Sequence, residues 1–353
     1  MSPRVEVIAE IGINHNGSFE NCLRLIDAAA SAGCQAAKFQ LFRAEALYTR
    51  RAGRLDWKKG GRRYSYDIFL ASQRFAMPWT WVQGLLAHCR RRRIEFLASI
   101  FDPAGADLLL KQGLRRVKLA SYAVTNLPLI EHCCRKGFAV LLSTGGATLG
   151  EVESAAGLAR RYDRPLTLMH CNIQYPTPLS EVNLGVLDTY RLAFPWAVLG
   201  FSDHTREVSR APVAAVRLGA LVIEKHITLD KGMEGPDHFF ALEPQELRRL
   251  VRDVARVARG GRRPVPRLLY GTSAKLPMHG EEYLRRFAYM SLFAARDLPR
   301  GQRIRPDDLA ILRPGKHRPG LEPSRQELFG SHRVTAKRRI RAGEAVTWGD
   351  ILG

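Results

Sequence analysis

The chain has 353 residues, with 55 Lys and Arg against 34 Asp and Glu, giving a formal net charge of +21. Apolar residues make up 46% and charged residues 25%, enough for a sizeable core, which excludes intrinsic disorder, a collagen-like repeat and a disulfide mini-scaffold. The length suits two domains, or one large barrel with an appendage.

No run of about 18 apolar residues occurs, so no membrane span is expected. Met1-Ser2-Pro3-Arg4 leads straight into the strand-like run from Val5 to Glu10. That start lacks the parts of a secretory signal, so a cytoplasmic location is the expectation. Cys22, Cys34, Cys89, Cys133, Cys134 and Cys171 form no C-x-x-C pair and match no zinc module, so reduced packing cysteines are expected. The basic residues are scattered, densest at 50–63, 90–93 and 337–341. No aromatic-interleaved stripe or nucleic-acid motif accompanies them, so no nucleic-acid partner is expected; an anionic small substrate remains in keeping with the charge.

Taken in chain order, residues 1–260 alternate short β-rich runs with helical patterns. The strands are expected at 5–11, 36–41, 94–100, 116–121, 139–144, 166–171, 197–202 and 221–227. Most are near-continuous apolar runs, as in parallel strands buried on both faces. Helical patterns lie between them: 21–32 before Gly33, 78–92, and one starting at Thr148, whose Thr-Leu-Gly-Glu has capping-box spacing. Eight such units point to a (β/α)8 TIM barrel, with a doubly wound sheet as the alternative. The stretch 41–77 shows no clear element and is rich in Arg, Lys, Gly and Tyr; following the second strand, it should lie at the active-site face. Residues 261–283 read as a linker. Residues 284–353 read as a small, mainly β domain, with β-like runs at 287–294 and 309–312. Inside it, Leu298-Pro299-Arg300-Gly301 and Ile340-Arg341-Ala342-Gly343 form a weak echo, each followed by a stretch reaching an Asp.

A barrel places its functional groups at the C-terminal ends of the strands. There the chain has Glu10 and Asn14-His15-Asn16-Gly17, Lys38 and Gln40, Ser99 and Asp102, Lys118 and Ser121, Ser143-Thr144-Gly145-Gly146, His170-Cys171 with Tyr175, Ser202-Asp203-His204, and Glu224-Lys225-His226. A polar residue in an apolar buried strand is costly unless paired or used, and here every strand carries one. His204 and His226, ending adjacent strands, could hold one divalent metal with positions left open for substrate. Lys38 and Lys118 among Ser99, Ser121, Ser143 and Thr144 suit a small dianion such as phosphate. Schiff-base chemistry by one of these lysines is the other reading. Gly200-Phe201-Ser202-Asp203-His204 is not a hydrolase elbow, because His204 stands where the second Gly belongs.

These segments resemble a known family in order and spacing. They are Ile8-Ala9-Glu10-Ile11-Gly12-Ile13-Asn14-His15-Asn16-Gly17, Lys38-Phe39-Gln40, Lys118-Leu119-Ala120-Ser121, Leu142-Ser143-Thr144-Gly145, Tyr175-Pro176-Thr177-Pro178, Gly200-Phe201-Ser202-Asp203-His204-Thr205 and Glu224-Lys225-His226 with Gly235-Pro236-Asp237-His238. The family is that of sialic acid (N-acetylneuraminate) synthases, most nearly its spore-coat polysaccharide branch. The C-terminal part, with Phe287-Ala288 and Leu312-Arg313-Pro314-Gly315, is similar to the family's antifreeze-like, or SAF, domain.

The resemblance implies condensation of phosphoenolpyruvate with the open-chain aldehyde of an N-acylated hexosamine. The product would be a nine-carbon 3-deoxy-2-keto acid for a surface polysaccharide or glycoconjugate. It implies a divalent metal, manganese first and magnesium or cobalt as substitutes, on His204 and His226. Lys38, Ser99, Lys118, Ser121, Ser143 and Ser202 would hold phosphoenolpyruvate. Glu10, Gln40, Tyr175 and Asp237 would contact the sugar or the reacting centre; Glu10, Lys38, Lys118, Asp237 and His204 are the catalytic set. It further implies a domain-swapped homodimer in which Arg313 reaches into the partner's barrel. Two departures stand out. Ser121 is followed by Tyr122 and Ala123 where the family continues to a Glu, and Ile173 replaces an Asn, with Asn172 and Gln174 as neighbours able to compensate. Glu10 or Asp237 would then take over proton transfer, or the chain would be a catalytically altered or inactive carbohydrate-binding relative.

Overall fold

In the computed structural model the described residues are 5–59, 62–260 and 264–352, with backbone alone for 57–59 and 62–64. Eight strands form a closed parallel barrel: Glu6–Gly12, Ala36–Leu41, Glu95–Ile100, Arg116–Leu119, Ala139–Ser143, Leu166–Cys171, Val198–Asp203 and Val222–His226. The first strand pairs with the last, Glu10 opposite His226, and with the second, Glu10 opposite Lys38. Between or after the strands run the helices Phe19–Ala32, Val82–Arg92, Pro103–Lys111, Leu127–Arg135, Leu149–Arg161, Val186–Ala193, Arg210–Arg217 and Pro244–Ala258. The architecture is the TIM barrel that the alternation of elements predicts.

Local chemistry sets the helix ends. Ser18 accepts from the Asn21 N–H at the start of Phe19–Ala32, and Gly33, at φ 91°, ends it. Asp102 caps Pro103–Lys111, and the Thr148–Glu151 capping box forms as its spacing predicts.

Alternate residues of each strand face the barrel interior. The lowest apolar layer is Ile8, Ala36, Leu97, Leu141, Met169 and Val222. Below it, Arg116 is bonded to Glu6 at 2.6 Å and Glu95 at 2.7 Å. Above it the inward positions turn polar. The outward-facing residues join the helices in the main core.

The segment 41–77 is structured, contrary to expectation. It holds helix Ala44–Leu47, an antiparallel hairpin of Arg54–Lys59 with Arg62–Asp67, and helix Ile68–Phe75. Leu47, Tyr48, Ile68 and Phe69 form a second core with Phe287, Ala288 and Met290, so this apolar set is completed only by a distant part of the chain. The expected linker is also ordered beyond residues 261–263, which lie outside the described residues. It forms helix Arg267–Tyr270 and a turn at His279–Glu281 that continues into helix Glu282–Ala288. Phe287 and Ala288 are therefore helical, and the β-like run begins at Ser291.

The C-terminal part has two small antiparallel sheets, Ser291–Ala294 with Leu309–Leu312 and Thr335–Ala336 with Ile351–Leu352. The sequence echo is physical. Leu298 and Ile340 exchange both backbone hydrogen bonds, at 2.8 and 2.9 Å. Arg296–Asp308 and Arg338–Asp350 are matching ion pairs at 2.7 Å. Among the described residues, no helix is long and apolar enough to cross a membrane, and all six cysteines are free and buried.

Candidate active site

The polar inward positions open into a cavity of about 230 Å³ at the C-terminal ends of the strands. Glu10, Lys38, Gln40, Ser99, Lys118, Ser121, Ser143, Tyr175, Ser202, His204, His226, Asp237 and Arg313 all line it. The structure thus brings these residues to one wall; Thr144, also expected at the dianion site, does not reach it, and instead donates to the Met169 carbonyl at 3.0 Å and accepts from the Tyr190 hydroxyl at 2.7 Å.

Its floor is a buried charge network. Lys38 Nζ lies 2.6 Å from Glu10 and 3.6 Å from Glu224, and it donates to Ser99 at 2.9 Å. Lys118 Nζ lies 3.2 Å from Glu224, which also accepts from the Ser202 hydroxyl at 2.9 Å. Burial opposes charge on Lys38, but Glu10 and Glu224 outweigh it and raise its pKa, so it stays an ammonium. Burial lowers the Lys118 pKa, against the pull of Glu224. Burial works against charge on Glu224 too, yet Lys118 and Lys38 hold its carboxyl down at about 2. The Ser143 hydroxyl has no partner in the chain although it is buried, which leaves it available to a ligand.

Glu224 is the principal residue that sequence reasoning left without a role. The signal was present: with a period of two, the residue two before an inward His226 also faces inward. Lys225, between them, points away and is fastened to Asp203 at 2.6 Å. Gly12, at φ 55°, ends the site's first strand just past a register shift; a Cβ there would meet Glu10 Oε1 at 3.0 Å and Gln40 Nε2 at 3.2 Å, so glycine leaves room for the 3.0 Å bond from Gln40 to Glu10.

Beside the floor stand the two imidazoles, ring centroids 5.5 Å apart. His204 Nδ1 donates to the Asn172 carbonyl at 2.6 Å, so that in the neutral ring the lone pair is on Nε2. Buried His226 Nδ1 has no hydrogen bond; the Asp237 carboxyl is 3.8 Å away, beyond bonding distance. Burial, with help from His204 and Lys38, keeps His226 neutral. An oriented imidazole and an unpartnered neutral one fit a divalent ion. Among the described residues no third His, Cys, Asp or Glu completes a cluster around them, so other positions on the ion would be left for substrate. Burial pushes the Asp237 carboxyl up to about 7, partly offset by His204.

The rim is aromatic: Ile13, Phe101, Tyr122 and Tyr175 line it together with Arg313. The Tyr175 ring lies 4.3 Å from that of His204, and the Tyr122 and Tyr175 hydroxyls are 3.4 Å apart. Arg313, from the C-terminal domain, stands at this rim with its guanidinium over the Tyr122 ring at 4.8 Å.

The other motif residues are structural. Asn14 donates to the Ile227 carbonyl at 2.9 Å and His238 meets Asn16 at 3.1 Å, tying the first and eighth loops together. Asp102 caps its helix and pairs with Arg43, and His170 is bonded to the Val182 carbonyl on the outer face. The two departures do not reach the cavity wall, and neither do Asn172 or Gln174: Asn172 donates to the Glu181 carbonyl, and Gln174 lies against Gly280. The wall residue at that point is Tyr122.

The comparisons with known proteins agree with this fold. The NeuB family model matches residues 25–261 and the SAF domain model residues 289–352. The chain is 39% identical, over 99% of its length and 94% of the relative's, to the spore coat polysaccharide biosynthesis protein SpsE of Bacillus subtilis. It is 34% identical, over 92% of its length and 93% of the relative's, to the N,N'-diacetyllegionaminic acid synthase of Campylobacter jejuni. The crystal structure of the Bacillus protein superposes with a TM-score of 0.86 at 38% identity, covering 99% of this chain and 96% of that one. The chain belongs to the NeuB family and ends in a SAF domain.

Proposed function

We propose that the chain condenses phosphoenolpyruvate with the open-chain aldehyde of an N-acylated hexosamine, giving a nine-carbon 3-deoxy-2-keto acid and phosphate. Relatives named as synthases of legionaminic, pseudaminic and N-acetylneuraminic-type acids support the reaction class. One observation carries the reading: two buried lysine amines, a ring of serine hydroxyls and two imidazoles share one cavity wall.

Lys38 and Lys118 would bind the phosphate and carboxylate of phosphoenolpyruvate, with Ser99, Ser121, Ser143 and Ser202 donating hydrogen bonds. Their charge is balanced by Glu10 and Glu224, so the anion would compete for cations already held in position. The phosphoenolpyruvate methylene carbon attacks the aldehyde carbon and forms the new C–C bond. Water then adds to the carbon bearing phosphate, and the C–O bond to phosphate breaks. The new hydroxyl needs a proton, which Asp237 would supply, since its pKa of about 7 keeps it partly protonated near neutrality. Glu10 would accept the proton of the attacking water. These two carboxyls would cover the missing strand-4 Glu. A divalent ion on His204 and His226, manganese first and magnesium or cobalt as substitutes, would polarise the aldehyde carbonyl. Gln40 and Tyr175 would contact the sugar.

The test is a phosphate-release screen of phosphoenolpyruvate against six-carbon N-acylated amino-sugar aldehydes with manganese present. Release that requires both substrates is expected. No release with any aldehyde, together with no binding of phosphoenolpyruvate in calorimetry, would overturn the reading. The lowered pKa of Lys118 keeps one rival open, a Schiff-base aldolase. Borohydride with pyruvate would then trap an adduct on Lys118, and its absence ends that rival.

A further inference from the structure

The two imidazoles stand just beyond the last rung that joins their strands. Val198–Asp203 and Val222–His226 are paired from Gly200 opposite Val222 to Asp203 opposite Lys225. His204 follows Asp203 and His226 follows Lys225, so the pairing of these two strands stops one residue short of both rings. Other bonds hold each histidine separately. The His204 ring donates to the Asn172 carbonyl, and its backbone carbonyl accepts from the Thr177 N–H at 3.0 Å. The His226 carbonyl accepts from the Leu242 N–H at 2.8 Å, while its buried Nδ1 has no hydrogen bond.

One side chain spans the two. Lys225, next to His226, donates from Nζ to the Asp203 carboxylate at 2.6 Å and to the Thr205 carbonyl and hydroxyl at 2.5 and 3.4 Å. Asp203 and Thr205 flank His204. The Asp203 carboxylate also accepts from the Thr205 N–H at 2.8 Å and from its hydroxyl at 3.2 Å, which closes the turn that presents His204. Three acceptors match the three donors of one ammonium. The turn is thus wrapped round a cation carried by the neighbouring strand.

Both side chains of the Lys225–Asp203 pair are 0% exposed. A buried ion pair adds little stability, because desolvation offsets its attraction and an apolar pair of similar volume would pack as well. What it supplies is direction: an ammonium with fixed acceptors holds one register and one turn geometry, whereas an apolar contact can slide. Lys225, Asp203 and Thr205 all lie outside the cavity wall, so none of them can touch a ligand there.

We propose that Lys225, with Asp203 and Thr205, is a positioning clamp that sets the spacing of His204 and His226, 5.5 Å between ring centroids, for a single divalent ion. The clamp rests on the reading of those two histidines as the metal pair.

The test titrates manganese alone into metal-free, full-length protein in a calorimeter. The double variant Lys225→Met/Asp203→Asn removes both charges together, so neither is left buried and unpaired. It should bind manganese about 10–100-fold more weakly than the wild type, the range for residues that hold a metal ligand in place. Phosphoenolpyruvate, titrated without metal, should bind as it does to the wild type, since Lys38 and Lys118 stand on other strands. Manganese affinity equal to that of the wild type would overturn the proposal. So would an equal loss for both ligands, which is what a general loosening of the barrel predicts.

Thr205 offers a milder arm that keeps the ion pair. Thr205→Val should weaken manganese binding about threefold, the scale of one neutral hydrogen bond, and Thr205→Ser should restore it. If the double variant does not fold, this pair decides: no loss with valine, or no rescue by serine, overturns the clamp. His226→Ala separates the clamp from the reading beneath it. Unchanged manganese binding in His226→Ala, or none in the wild type, would end the metal reading and the clamp with it. Loss in His226→Ala but not in the double variant would end the clamp alone.

Discussion

The floor and the rim of the cavity are built on different principles. The floor consists of Glu10, Lys38, Ser99, Lys118, Ser202 and Glu224, each on the inward face of a barrel strand and each satisfied by another of the set. The rim consists of Ile13, Phe101, Tyr122, Tyr175 and Arg313, which come from loops and from a second domain. Strand positions are rigid because both neighbours in the sheet hold the backbone. Rim positions can vary without disturbing the barrel. The contrast teaches a division of labour: on the proposed reaction the floor would suit what every condensation of this kind shares, an anionic phosphate and a reacting carbonyl, while the rim would face the part of the aldehyde that differs between substrates.

The variant with the largest expected effect would break this comparison if it failed. Lys118→Ala should cut phosphate release on the order of 10³-fold, as expected when a charge clamp on a phosphoryl group is lost. It should also lower the melting temperature, since a buried pair broken on one side costs about 3–5 kcal/mol. A loss under tenfold would show that the floor does not hold the phosphate.

Removal of metal comes next. Thorough chelation should reduce turnover by 10²-fold or more, of the order seen when a metal's Lewis-acid role is removed. Added manganese should restore the wild type but not His226→Ala, and full activity after chelation would contradict the metal reading.

A smaller effect sharpens the contrast from the other side. Tyr122→Phe removes one hydroxyl, and its partner Tyr175 lies 3.4 Å away. The KM for the aldehyde should rise about tenfold, the usual scale for a lost substrate hydrogen bond. The KM for phosphoenolpyruvate should stay unchanged; a rise in that constant instead would dissolve the distinction between floor and rim.

The smallest effect concerns the joint between barrel and C-terminal domain. Burial opposes charge on Glu151, but its bonds to Arg285 and to Thr148 prevail and lower its pKa from the usual 4.5. A lowered carboxyl pKa adds stability that is fully present above the unfolded value and lost as the pH falls through the folded one. Glu151→Gln should therefore destabilise the protein by about 1–2 kcal/mol at neutral pH, the scale of a charged hydrogen bond. The gap from wild type should close as the pH falls below 4.5. A constant gap across that range in thermal melts would mean the carboxylate charge is not what holds the joint.

The floor was legible in the sequence because its residues interrupt apolar strands. Lys38, Lys118 and His226 are conspicuous there, since burying charge without a partner is so costly. Glu224 escaped because it precedes Lys225 and His226, and three adjacent polar residues hide which two share a face. The rim was less legible. Tyr122 stands where a carboxylate was expected, and an aromatic residue in a loop carries no chemical signature of its own. The segment 41–77 read as elementless because Leu47, Tyr48 and Phe69 complete their core with residues far along the chain, Phe101, Phe287 and Met290.

By itself, the amino-acid order determined the barrel, its polar upper layer and the family, because strand period, helix caps and two-sided burial are properties of neighbours along the chain. Only the folded arrangement decided that Glu224 is the hub of the floor, that Tyr122 occupies the wall, and that the segment 41–77 packs against Phe287 and Met290. Those outcomes depend on contacts between segments far apart in the chain, where which surfaces meet follows from loop closure and packing rather than from local pattern.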